Sequence, residues 1–127
     1  MSYYIKTTKT GSLNEIKQKV INALKEEGFG VLTEINVKET LKQRIGKEID
    51  DYIILGACNP NYAYQALQKE PYIGVMLPCN VIIRKVGSEY EIAAVDPFAS
   101  MSGVPNKELL EVAGQVKEKL SRVINNI

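Results

Sequence analysis

Histidine is absent from this 127-residue sequence, and that one gap closes several routes to chemistry. Without an imidazole there is no Ser-His-Asp triad, no Cys-His dyad and no histidine-bearing zinc site. Cysteine is nearly as scarce: the two present, Cys58 and Cys79, are too few for a four-thiolate cage from one chain. An excess of charge of one sign is also missing. Sixteen Lys and Arg against fifteen Asp and Glu leave a formal charge of +1, so no broad field draws the chain to nucleic acid or to an anionic membrane. No apolar run nears the roughly 20 residues that span a bilayer, and Met1-Ser2-Tyr3-Tyr4-Ile5-Lys6 lacks a signal-peptide core. We therefore expect a cytoplasmic protein with no nucleic-acid or membrane partner. In that reducing setting free thiols are the first expectation and a Cys58–Cys79 disulfide the second. No cofactor and no metal are expected from these residues.

What is present describes one domain, 1–127. Internal repeats, low-complexity tracts and linkers are lacking, and apolar residues recur from Ile5 to Ile127. Tyr3 to Thr8 is rich in β-formers and reads as a short edge strand. Ser12-Leu13-Asn14-Glu15 has the capping-box pattern that opens a helix. Leu13, Ile16, Val20 and Leu24 follow at helical spacing, Lys17, Lys19 and Lys25 form a solvated face, and Gly28 suits the left-handed position past the end. From Phe29 the period changes to two, with Phe29, Val31, Thr33, Ile35 and Val37 on one face, which predicts a half-buried strand. Lys38 to Gly46 reads as a short helix. Tyr52 to Ala57 is apolar at every position and is expected to be a central strand. Its second face then needs cover for Ile53, Leu55 and Ala57, from short helices or from a second subunit.

Asn59-Pro60 is a cap residue followed by a proline suited to the first helical position, so Cys58 lies just ahead of a helix that must end before Pro71. Gly87-Ser88 is a hairpin turn between Val81–Val86 and Glu89–Val95. The register that sets Val86 against Glu89 also sets Arg84 against Glu91, Ile83 against Ile92 and Val81 against Ala94; a slip of one residue would break the charge match. Followed outward, it sets Cys79 against Asp96. The chain closes with a stripe of Leu109, Ala113, Val116, Leu120, Val123 and Ile127, flanked by Lys107/Glu111 and Glu118/Arg122 at spacing four. Gly114 inside it is either tolerated or a seat for another element.

If the strand ending at Cys58 runs antiparallel to the one beginning at Cys79, then Cys58, Asn59, Cys79, Asn80 and Asp96 converge at one end of the sheet. A helix N-terminus there favours anions and lowers the pKa of a nearby thiol. Each residue also has an ordinary explanation. Free cysteine packs as a small hydrophobe, Asn59 caps, Asp96-Pro97 turns, and Tyr62 and Tyr64 either border a pocket or simply pack.

The ordered set Cys58-Asn59-Pro60, Leu77-Pro78-Cys79 and Asp96-Pro97, with its flanking hydrophobic strands, resembles the family termed domain of unknown function 302, from Phe29-Gly30-Val31 through the last helix. The resemblance implies an α+β domain of the TATA-binding-protein-like (TBP-like) class, β-α-β(4)-α. In it an antiparallel sheet is backed by the first and C-terminal helices, with short helices inserted between strands. It implies neither DNA binding nor catalytic residues. Three functions stay open. The first is a homodimeric binding module whose candidate site, Cys58, Asn59, Cys79, Asn80 and Asp96, takes a small molecule or anion. The second is thiol chemistry or soft-metal binding through Cys58 and Cys79, with Asp96 accepting a proton or Met101 adding a thioether. The third is a purely structural domain. No reaction is named by these residues, so whether the chain is an enzyme is left open.

Overall fold

The computed structural model describes residues 2–127. Five strands, β1 (Tyr4–Lys9), β2 (Gly30–Asn36), β3 (Tyr52–Cys58), β4 (Cys79–Val86) and β5 (Glu89–Val95), form one antiparallel sheet in the order β1-β5-β4-β3-β2. Helices α1 (Leu13–Glu26) and α5 (Leu109–Asn125) pack against each other and back one face. Shorter helices α2 (Val37–Ile45), α3 (Pro60–Lys69) and α4 (Pro97–Met101) fill the connections, and a 3-10 turn over Pro71–Met76 carries α3 into β4.

Local chemistry sets the ends. The Glu15 N–H donates to Ser12 Oγ at 3.2 Å and starts α1. Ile16, Val20, Ala23 and Leu24 then fall on the buried face. Gly28 has φ +86, and a Cβ there would sit 3.1 Å from Asn59 Nδ2, so the left-handed turn and the close approach both require glycine. The β4–β5 ladder has the register that the Arg84–Glu91 pairing demands, with Ile83 opposite Ile92 and Val81 opposite Ala94.

Five expectations need correction. Ile53, Leu55 and Ala57 face the covered side of the sheet and lie in the core with Val20, Leu24 and Leu120, so neither short helices nor a partner is required for them. β3 is apolar at both parities, and its composition alone could not say which face is inner. β2 is an edge strand with a bulge between Val31 and Thr33. Half-burial fails there, with Leu32 67% and Ile35 47% exposed. The ladder stops at Val81–Ala94, and Asp96 leaves the sheet to cap α4, its carboxylate accepting the Phe98 N–H at 2.9 Å. Arg122 reaches Glu27 of the α1 end at 3.0 Å, and Lys107 precedes the helix; neither expected spacing-four pair is among the ion pairs. Ile127 likewise lies past the end of α5. At Gly114 a Cβ would meet the Phe98 ring of α4 at 3.4 Å, an ordinary van der Waals contact, so α4 packs over this position without requiring glycine.

Candidate functional site

β3 and β4 run antiparallel with Ala57 opposite Cys79, and Cys58 stands opposite Gly30 on the other side. The two thiols are therefore one step out of register at the same end of the sheet. Both are free and half-buried. No disulfide joins them.

Cys58, Asn59 and Cys79 share the wall of a cavity of about 310 Å³ between this sheet end, α3 and α5. Its making is local. Ala63 and Ala66, three apart on α3, keep that helix face small, and the bulge at Val31/Thr33 splays the edge strand, leaving Leu32 at the rim. Phe29, Leu77, Pro78, Val112 and Val116 complete the apolar lining, and Met101 brings a third sulfur. Gly56 lies beneath this corner: a Cβ there would collide with Thr33 Oγ1 and stand 2.9 Å from Pro78 Cγ.

No charged side chain is part of the wall. Burial, with the neighbouring Cys58 as the lesser cause, pushes the Cys79 thiol up to about 11. Cys79 is accordingly a neutral thiol at physiological pH and no nucleophile at rest. Asn59 does not cap α3 through its side chain. Its Nδ2 donates to the Glu27 carbonyl at 3.2 Å, tying the start of α3 to the end of α1.

The other two candidates stand elsewhere. Asp96 is 7% exposed, caps α4 and pairs with Lys117 Nζ at 3.0 Å; it is not part of the cavity wall. Asn80 lines a separate hollow on the open face of the sheet. Of the two tyrosines singled out, Tyr62 borders the thiol cavity and Tyr64 is 65% exposed. The alanine pair on α3 was the overlooked signal: two small residues at helical spacing beside a cysteine-ended strand leave room in the packing. Among the described residues, no three Asp, Glu, Cys or His side chains gather where a metal ion could sit.

A second polar cluster occupies the open face. Glu91 accepts from Lys6 Nζ at 2.9 Å and from Arg84 Nε at 2.8 Å, which holds its carboxyl below the ordinary range and the Lys6 ammonium above its own. Tyr90, on the covered face, donates to Asp51 at 2.6 Å and is itself pushed up to about 12, chiefly by that bond.

Fold and cavity define a small α+β domain with a thiol-bearing pocket at one end of a half-covered antiparallel sheet. The chain belongs to the family described as Domain of unknown function DUF302, whose model matches residues 4–127. The crystal structure of an uncharacterized conserved protein DUF302 from Bacillus stearothermophilus matches with a TM-score of 0.93 at 24% identity, over 99% of this chain and 98% of that one. At that identity the likeness establishes the fold alone. Among curated proteins, none matches the chain. No helix among the described residues is long and apolar enough to cross a membrane.

Proposed function

We propose that the chain is a small binding module whose cavity at the Cys58/Cys79 end of the sheet holds a compact apolar ligand. The observation that carries this reading is the composition of the wall: two thiols, a thioether and mostly aliphatic or aromatic carbon, with Thr33, Asn59 and Tyr62 as neutral polar groups and no charged side chain. Such a wall has no cationic side chain to offset the desolvation of an anion, whereas it rewards burial of carbon at about 25 cal/mol per Å². The volume suits a ligand near the lower end of the ordinary range, roughly 300–1,000 Å³. Neutral thiols add weak, polarizable contacts.

Benzene is the probe for a test by NMR on the intact chain. The methyl resonances of Met101, Ala63 and Ala66 should shift saturably, and Ala63→Leu, which fills the volume from a half-buried position, should abolish the response while far-UV circular dichroism stays native. Methyls that stay put up to the aqueous solubility of benzene, or that respond equally in Ala63→Leu, would overturn the reading.

A second reading rests on the three sulfurs sharing one wall. Cys58, Cys79 and Met101 are the donor set of a soft cation such as Cu(I), which each thiol would meet by losing its proton. Anaerobic titration with Cu(I) should then give one tightly held equivalent, weakened in Met101→Leu; failure to retain copper through gel filtration removes this reading and leaves the apolar one standing.

A further inference from the structure

The uncovered face of the sheet is organised in rows that the register spells out. One row runs Thr8, Glu91, Arg84, Tyr52, and the next runs Lys6, Ala93, Ile82, Ile54, Ile35. Between β1 and β3, about 14 Å apart at ordinary strand spacing, the rows enclose a hollow of about 500 Å³. Ala93 makes the dip, being the smallest side chain of its row. Tyr3 and Tyr4, stacked edge to face at 5.1 Å, wall it on the β1 side, and Tyr52 walls it on the β3 side.

Its charge does not balance. Lys6 and Arg84 share the single carboxylate of Glu91, and among the described residues neither cation has another ion-pair partner. One positive charge is left over in a hollow flanked by aromatic rings. The donors around it are also unspent. Tyr90 uses its hydroxyl inside the protein, but the hydroxyls of Tyr3, Tyr4 and Tyr52 and the side-chain amide of Asn80 have no protein partner among the described residues.

We propose that this hollow binds a flat aromatic acid. The ring lies over Ala93 and Ile82 between the tyrosines, and the carboxylate or phosphate is taken by Lys6 and Arg84 in competition with Glu91. An anion supplies the missing negative charge, Arg84 offers a fork suited to planar oxyanions, and a ring matches the walls. The site lies apart from the thiol cavity, so the two readings stand or fall separately.

Phenyl phosphate is the probe, titrated onto the full chain while backbone amides are followed by NMR, with inorganic phosphate and phenol as separate arms. Phenyl phosphate should move the amides of Ile82, Arg84, Glu91 and Ala93 saturably and bind more tightly than either part alone. Glu91→Gln removes the competing carboxylate and should tighten binding several-fold. Arg84→Gln, at an exposed position, should weaken it about tenfold, the loss expected for one charge-assisted contact. The proposal is overturned if those amides do not move, if inorganic phosphate binds as well as phenyl phosphate, if Glu91→Gln fails to tighten, or if the shifts gather at Cys58 and Met101. It is equally overturned if sedimentation gives a dimer that Ile82→Asp converts to monomer, because a second copy then occupies the face.

Discussion

On its covered face the sheet presents Ile53, Leu55, Val81, Ile83, Ile92 and Ala94, each at most 2% exposed beneath α1 and α5. On its open face the intervening positions Ile54, Ile82 and Ala93 share space with Lys6, Arg84, Glu91 and tyrosine rings. The same strands supply both. Alternation lets one backbone carry a sealed, mainly apolar surface and a wet, chemically mixed one. The thiol cavity lies where the covered side ends, and the ionic hollow lies at the middle of the open one. Stability should therefore reside in the first face, and polar recognition in the second.

The widest separation between the faces should come from truncating one aliphatic side chain on each. Leu55→Ala removes a fully buried side chain that α1 and α5 prevent from being backfilled, at a cost of about 2–5 kcal/mol. Ile82→Ala, half-buried on the open face, should cost no more than about 1.5 kcal/mol by the area it gives up. Urea unfolding of both variants measures the gap. Equal losses would mean that something covers the open face in solution.

The sequence marks this division unevenly. In β4 and β5 it is plain, because Arg84 and Glu91 mark the wet side and Gly87-Ser88 fixes the register. The buried faces of α1 and α5 are equally plain from helical spacing. In β3 it is hidden, since Ile53, Ile54 and Leu55 look alike and only the packing of remote helices chooses between them. The thiol corner is half visible. Its cysteines stand at strand ends by local rules, but the cavity exists because of Ala63, Ala66 and a bulge, which are features of space left empty. Asp96-Pro97 was legible as a turn but not as the cap of α4, and its partner Lys117 comes from a helix that only tertiary packing brings near.

A smaller effect tests whether the thiol corner belongs to the dry side. Cys79 titrates near 9.0 in an unfolded chain and at about 11 in the fold, because burial disfavours the thiolate. Below pH 9 both states hold the proton and stability is unaffected. Between pH 9 and 11 the unfolded chain releases it while the native state keeps it, so stability falls as pH rises and levels off above pH 11. The loss attributable to this group is about 2–3 kcal/mol. Cys79→Ala should flatten that part of the profile relative to wild type, with the lysines and tyrosines common to both chains cancelling in the difference. Parallel profiles would place Cys79 in contact with water and return the corner to the open side of the comparison.

The smallest expected effect is that of Glu91→Gln on melting temperature. Its carboxylate holds two cations at hydrogen-bonding distance, a geometry that invites the inference of a structural clamp between β1, β4 and β5. Lys6 and Arg84 are about half exposed, however, and ion pairs in that setting are offset by side-chain ordering and screened by salt. Nothing in the core depends on them. The substitution should leave the melting temperature at physiological ionic strength close to that of the parent, with a difference that emerges only at low salt and at pH above the range in which Glu91 ionises. Protonating the parent should remove the same contribution, because a carboxyl held below its unfolded value stabilises above that value and loses its effect as pH falls through the folded one. If Glu91→Gln instead destabilises as much as Leu55→Ala, the two faces carry stability in common, and Glu91 is a fastening of the fold, not a gate to the hollow.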